Sequence, residues 1–326
     1  MILMTGGAGF IGSNLLWHMN EAGFHRIAVA DRLRNDDKWQ NLRGREFAEF
    51  LQPSQVGAWL SSAPRLDAII HLGALSVSTD DADRVMAENF ATSLQLWRYA
   101  AEHDVPFLYA SAAATYGDDA TGFVDDNALA SLRRLRPLSL FGFSKHVFDL
   151  KVIRDSLDGE KTPPRWYGLK FFSVYGPNEY HKCGMRSPVY ELATALMAGR
   201  PLQLFKSDRP DMADGAQARD FIHVDDVCRI ILWLLTSNVS SGLYNVGSGR
   251  ARTFRDVAEA VFAALGQRAE IDFIDMPAAL KGRYQHVTEA DMRRLREAGW
   301  HEVPTPLEAG VRDYIQSYLA GGQRYR

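Results

Sequence analysis

Only two cysteines, Cys183 and Cys228, occur among the 326 residues, and they lack the spacing of a disulfide framework or a metal site. Cys228 sits in an apolar run and reads as core, whereas Cys183 stands beside Lys182 in a candidate site loop. No apolar run approaches the roughly 18 residues of a membrane helix. The start of the chain also lacks the basic region and cleavage site of a signal peptide, so a cytoplasmic protein with no membrane partner is expected. Charge of one sign is missing too: 37 basic and 40 acidic residues give a net charge of −3 and no electrostatic case for nucleic acid. Internal repeats and low-complexity tails are absent. Hydrophobic content, by contrast, is 46%, ample for a core at this length. The length suggests two lobes, one over 1–175, rejoined by a segment near 221–250, and one mainly over 176–326.

Thr5-Gly6-Gly7-Ala8-Gly9-Phe10-Ile11-Gly12 follows the short apolar run Ile2-Leu3-Met4. Gly6 lets the chain turn sharply out of a strand, Gly9 lets backbone approach a pyrophosphate, and Gly12 lets the next helix pack closely. The amides around Phe10 and Ile11 then face phosphate at that helix's N-terminus. An amphipathic run follows, and about twenty residues on comes Ile27-Ala28-Val29-Ala30-Asp31, the context this fingerprint requires. Asp31 suits the adenosine ribose hydroxyls and hence NAD. Arg32, Arg34 and Lys38 suit a 2′-phosphate, or simply solvate a loop, so the segment leaves the cofactor choice open.

Strands near 2–4, 27–31, 67–71, 106–111 and 166–172 alternate with helical patterns near 11–22, 52–62, 82–103 and 142–157. That order predicts an α/β fold with a Rossmann-type doubly wound parallel sheet. After Pro177, helical stretches near 187–199, 225–236, 253–265 and 306–319 are separated by Gly-, Pro- and Asp-rich segments, which predicts a smaller mixed α/β lobe. Ligands of such sheets sit beyond the carboxyl ends of the strands, and the remaining motifs fall there. In His71-Leu72-Gly73-Ala74-Leu75-Ser76 the small residues let backbone pass close to a cofactor, and Asn89 on the next helix is placed to tie the loop. Ser111-Ala112-Ala113-Ala114-Thr115-Tyr116-Gly117 ends another strand, where a hydroxyl could polarise a substrate oxygen. Either segment could equally be a small-residue strand end needed for packing.

With Phe141-Gly142-Phe143-Ser144-Lys145 and Val174-Tyr175-Gly176-Pro177, these motifs resemble the extended short-chain dehydrogenase/reductase superfamily. More narrowly, nearly the whole chain resembles the ADP-L-glycero-D-manno-heptose 6-epimerase family. The segments that carry this are Lys38-Trp39-Gln40-Asn41-Leu42, Pro106-Phe107-Leu108-Tyr109-Ala110-Ser111, Glu179-Tyr180-His181-Lys182, Arg219-Asp220-Phe221 and Leu280-Lys281-Gly282-Arg283-Tyr284-Gln285. The last is specific to this epimerase type.

The resemblance implies a nicotinamide cofactor, NADP with NAD as the alternative, and an ADP-heptose sugar nucleotide inverted at C6″ by transient oxidation to a ketone and return of the hydride. It implies a homo-oligomer, a pentamer. Two acid/base groups, a Tyr and a Lys, would serve opposite faces of one carbon. Lys182 matches the Lys, and Lys145 would hold the nicotinamide ribose. Gly6, Gly9, Phe10, Ile11, Gly12, Asp31, Arg32, Lys38, Leu72, Gly73, Ala74, Ser76, Asn89, Lys145 and Val174 would contact the cofactor. Ser173, His181, Lys182, Gly184, Phe205, Asp208, Arg219, Arg283 and Tyr284 would contact the substrate. Arg219 offers a planar fork of donors to a pyrophosphate, although an ion pair with Asp220 would occupy it instead. No metal is implied.

The chain departs from that family at the reacting groups. Phe141 stands at the Tyr position of Tyr-x-x-x-Lys, and Phe143 also lacks a hydroxyl. Ala112 stands at the expected catalytic Ser, with Ser111 one residue earlier. Ser173 replaces an Asn, and Pro53 falls where a cofactor-binding Lys is expected. Three readings of Phe141 remain: a substitution made to trap a substrate complex, a natural residue with Lys182 and a second group sharing the proton transfers, or a nucleotide-sugar binding module without turnover. Another sugar-nucleotide epimerase or dehydratase is a further enzyme alternative, disfavoured by the Lys281–Gln285 segment.

Overall fold

Continuous apolar runs, rather than alternating ones, mark strands buried on both faces of a parallel sheet. Ile2–Thr5 (β1), Ile27–Ala30 (β2), Ala68–His71 (β4) and Trp166–Phe171 (β6) are buried at every position, and Phe107–Ala112 (β5) at all but one. The computed structural model describes every residue except 35–36, 63, 77–80, 119–120, 183 and 278–283. Its main sheet is parallel throughout, in the order β10-β6-β5-β4-β1-β2-β3, with β3 at Glu49–Leu51 and β10 at Gly242–Val246. Ile2 lies opposite both Ile27 and Ala68, so the strand order reverses beside β1. The carboxyl ends on either side of that switch point are where such sheets take their ligands.

Helices cover both faces. α1 (Phe10–Glu21), α2 (Val56–Ser61), α3 (Ala82–Val85), α4 (Thr92–Glu102), α5 (Leu129–Leu132) and α6 (Leu140–Leu157) supply the crossovers up to β6. A π-helical turn, Met86–Ala91, joins α3 to α4. Beyond them come α7 (Pro188–Met197), α8 (Val224–Thr236), α9 (Phe254–Ala264), α10 (Arg293–Glu297) and α11 (Leu307–Asp313), the last continuing as a π-helix over Tyr314–Leu319. Of these, α8 packs on α1. The short strands β7 (Ser173–Tyr175), β9 (Ala218–His223) and β11 (Ala251–Thr253) form a second sheet. A parallel pair, β8 (Leu202–Phe205) and β12 (Ile271–Ile274), forms a third. One large apolar core surrounds the main sheet, and two smaller ones lie under α7, α9 and α11. No described helix is long and apolar enough to cross a membrane.

The doubly wound parallel sheet is therefore present, with two strands that periodicity does not single out. β3 is a three-residue edge strand carrying Glu49, and β10 opens on Gly242, which sits at a backbone angle unusual for other residues. Neither offers a long apolar run.

Candidate active site

The glycine-rich turn leaves β1 through Gly6, whose φ of +73° favours glycine and whose missing Cβ would lie 2.6 Å from the Gly73 amide. A Cβ on Gly12 would collide with the Gly6 carbonyl. Gly9 donates to that same carbonyl at 2.9 Å and precedes α1 without offering a side-chain cap, so the first-turn amides of Phe10, Ile11 and Gly12 remain open to an anionic ligand. A pyrophosphate fits this cradle, because it needs close backbone approach and uncapped amides.

At the end of β2, Asp31 is buried and fully engaged. One carboxylate oxygen accepts from the Ala8 amide at 2.9 Å, and the other from the Arg32 amide at 2.7 Å and Lys38 Nζ at 2.5 Å. Arg32 reaches across to Glu88 at 2.7 Å. Both cations are thus held by carboxylates at the end of β2. The loop after β4 carries Leu72, Gly73, Ala74 and Ser76 over the same edge. Asn89, inside the π-helical turn, is fully buried and ties that loop, accepting from the Leu75 amide at 2.7 Å and donating to its carbonyl at 3.1 Å and to Ser144 Oγ at 3.0 Å.

At the end of β5 the side chains alternate, and the two neighbours diverge. Ser111 donates at 2.7 Å to Asp149 of α6, which also accepts from Tyr109 at 2.9 Å and from Lys170 at 2.7 Å. Lys170 and Asp149 are wholly buried, and Lys170 reaches Thr115 Oγ1 at 2.6 Å. Ser111 is therefore part of an internal network on the side of the strand away from Ala112. Its hydroxyl, expected among the reacting groups, is here donated to Asp149. Ala112 has no hydroxyl to take over that place.

α6 starts at Ser139, whose Oγ accepts from the Gly142 amide at 3.1 Å, and it presents Phe141 and Lys145 one turn apart on one face. Lys145 Nζ lies 6.0 Å from the Phe141 ring centroid. Lys145 is 3% exposed, and burial lowers its pKa to about 8, partly offset by Asp149. Val174 and Ser173 open β7 nearby in sequence to the β6 end.

Lys182 occupies the turn after Pro177. Its amide donates to the Glu179 carbonyl at 3.1 Å, and its Nζ lies 5.1 Å from the Phe10 ring centroid, against the first turn of α1. Burial lowers the Lys182 pKa and the Glu179 carboxylate opposes that. Glu179 is fully buried and accepts from Ser187 Oγ at 2.7 Å and the Ser187 amide at 2.5 Å. His181 meets Asn41 at 3.3 Å, and Asn41 also donates to the Ala8 carbonyl at 3.0 Å and the Asn178 carbonyl at 3.2 Å. Asn41 is a link that sequence reasoning passed over; its signal is a buried amide inside the Lys38–Leu42 segment.

In the second lobe, Arg219 is nearly enclosed. Its guanidinium lies 4.7 Å from the Tyr284 ring centroid and donates to the Ala218 carbonyl at 2.8 Å. It makes no ion pair with Asp220. That carboxylate accepts instead from the amides of Ser248, Gly249 and Ala290 at 2.6, 2.9 and 2.9 Å. Asp208 accepts from His286 at 2.7 Å, Phe205 ends β8, and Gln285 donates to the Gly117 carbonyl, drawing the Tyr284 segment to the β5 end. Gly184 lies two residues beyond Lys182 at φ +70°. Arg283 and Cys183 lie outside the described residues. The structure thus gathers the cofactor-type residues, Lys145 and Lys182 on the sheet's carboxyl edge, and sets Arg219 with Tyr284 in the lobe beyond it. No grouping of His, Cys, Asp and Glu suited to a metal occurs among the described residues.

Residues 2–247 match the family model described as the NAD dependent epimerase/dehydratase family. The chain is 41% identical, over the whole of both sequences, to an ADP-L-glycero-D-manno-heptose-6-epimerase of Fusobacterium nucleatum. It is also similar to the crystal structure of the Helicobacter pylori enzyme of that name, with a TM-score of 0.80, 28% identity, and 96% of this chain and 94% of that one covered. The UDP-glucose 4-epimerase of Thermus thermophilus, in complex with NAD, matches with a TM-score of 0.75 and 25% identity over 96% and 97% of the two chains.

Proposed function

The chain belongs to the NAD dependent epimerase/dehydratase family, among its ADP-L-glycero-D-manno-heptose-6-epimerases, and from this we propose that it acts on ADP-D-glycero-D-manno-heptose, inverting C6″. The observation that carries the reading is Lys182 lodged against the first turn of the phosphate-cradling helix, in a chain related over its full length to this epimerase. The nicotinamide cofactor, when bound, supplies reversible hydride acceptance. Gly6, Gly9 and Gly12 admit its pyrophosphate, and Lys145 holds its ribose. Arg32 and Lys38, drawn to the ribose edge by Glu88 and Asp31, favour NADP over NAD. Lys182, made less basic by its burial, takes or returns the proton of the C6″ hydroxyl on one face. Arg219, backed by Tyr284, faces the ADP diphosphate from the second lobe, which is the part over 176–326, while 1–175 and 221–250 carry the cofactor. We take the protein to be cytoplasmic and a homo-oligomer, a pentamer.

Phe141 and Ala112 leave the opposite face without a hydroxyl, so turnover is slow. The same observation supports the second reading, a nucleotide-sugar binding module. Epimerisation followed by NMR of the C6″ configuration separates the two. Phe141→Tyr is expected to raise the rate by about 10²-fold or more, the usual contribution of one acid/base group. Sugar nucleotide bound without turnover in either form would replace the enzyme reading with the binding module.

A further inference from the structure

The residues assigned above make no use of the segment 324–326, yet it is among the most heavily anchored parts of the molecule. The Arg326 guanidinium forks onto Asp225 at the start of α8, with Nη2 donating at 2.8 Å and Nη1 donating to the other oxygen. Nη1 also donates to Asn14 Oδ1 at 3.2 Å, Nε donates to the Tyr318 hydroxyl at 3.1 Å, and the group lies 4.9 Å from the Trp17 ring centroid. His18 completes Asp225 at 3.0 Å. Charge-assisted, bidentate bonds of this kind fix geometry as well as adding energy. Arg326 is thereby locked to α1, the helix whose first turn forms the phosphate cradle.

From that anchor the backbone reaches the turn that carries Lys182. The Arg326 amide donates to Asn178 Oδ1 at 3.1 Å, and the Arg326 carbonyl accepts from Arg45. Asn178 is fully buried at φ +73° and donates to Ser13 Oγ at 3.1 Å. Two residues on, the Tyr180 hydroxyl donates to the Arg324 carbonyl at 2.6 Å. The Arg324 guanidinium lies 4.7 Å from the Tyr180 ring centroid, and the Tyr325 ring meets Tyr180 edge-on at 5.2 Å. Two of the four residues preceding Lys182 are thus held by this one segment.

We propose that residues 324–326 form a clamp that positions Lys182 against the phosphate-cradling helix, with Arg326 as its fixed end and Asn178 and Tyr180 as the points it grips. The proposal rests on the reading of Lys182 as a proton-transfer group, and it makes Arg326 a positioning residue. The turn's own bonds, Lys182 to Glu179 and Glu179 to Ser187, hold it to itself and to the start of α7; the clamp, with Ser13 and Asn41, sets where it stands over α1. Among the described residues, the Glu179 carboxylate on the same turn is the charge that bears on Lys182, α1 faces it with the uncharged Phe10 ring, and the adjoining His181 meets Asn41. Loosening the clamp admits water to Lys182 and moves its titration up toward that of an ordinary lysine.

The test measures acylation of Lys182 by acetic anhydride as a function of pH, read by peptide mass mapping, beside kcat and KM, in the intact protein, R326A, R326K and D225N. Expected is an upward move of the Lys182 titration in R326A by about one unit or more, with partial return in R326K. In the same variant kcat falls about tenfold or more with KM for the sugar nucleotide little changed, as misplacement of a reacting group predicts. R326A that labels and turns over like the intact protein, even with a lowered melting temperature, overturns the clamp. If R326A fails to fold, R326K and D225N, which lose only the fork, must shift both readouts or the proposal fails. Labelling that shifts while no form turns over the heptose would leave the clamp standing and remove the epimerase reading.

Discussion

His71 shows how a single residue can be enclosed until its chemistry changes. At the end of β4 its Nδ1 meets Thr5 Oγ1 at 2.6 Å and its Nε2 meets Ser93 Oγ at 2.8 Å. Burial first, and then the charge of Lys145, lower its pKa to about 3. An unfolded histidine titrates near 6.5, so between those values the unfolded chain binds a proton that the folded one refuses. The contribution of His71 is complete above about pH 6.5 and is lost as the pH falls toward 3, by at most about 1.4 kcal/mol per unit. Urea midpoints across that window should fall less steeply in His71→Gln than in the parent; equal slopes would remove His71 from the acid sensitivity. The glycine positions are legible in sequence because sterics at one residue dictate them. That Ser111 faces Asp149 while Ala112 faces the other way is not, since it depends on which face of β5 meets α6.

Among the elements, α6 carries Phe141 and Lys145 on one stripe. Its N-terminus is fixed by Ser139 accepting from the Gly142 amide, and Gly142 passes so close to Ala114 that a Cβ there would press on the Ala114 carbonyl. Ser139→Ala should therefore cost about 1 kcal/mol of stability, measured by urea unfolding, with faster amide exchange confined to the first turn of α6. Protection unchanged in that turn would mean that packing alone holds the helix start. Helical periodicity of 3.6 makes the long helices readable from one sequence, and the run from 82 to 103 appears almost as expected. The π-turn within it, which points Asn89 at the Leu75 loop, leaves no periodic mark. β3 escapes for a related reason: three residues at an edge are too few for a pattern.

Across the whole molecule, cofactor choice turns on contacts between elements far apart in sequence. Arg32 is held by Glu88 of the π-turn and Lys38 by Asp31, and the proposed preference for a 2′-phosphate rests on these two cations. Binding measured by nicotinamide fluorescence is expected to favour NADP over NAD by about tenfold or more, and Lys38→Ala should narrow that ratio. A parent that prefers NAD would reverse the assignment. The glycine-rich turn and the buried parallel strands could be read directly from the chain, because a missing Cβ, a turn out of a strand and an unbroken apolar run are local facts. The Lys170 to Asp149 pair, the Gln285 to Gly117 bridge and the Arg326 to Asp225 fork join residues separated by 21, 168 and 101 positions. Nothing local marks such partners. They are chosen by the packing of helices and loops around the sheet, where each buried charge and amide must find its complement.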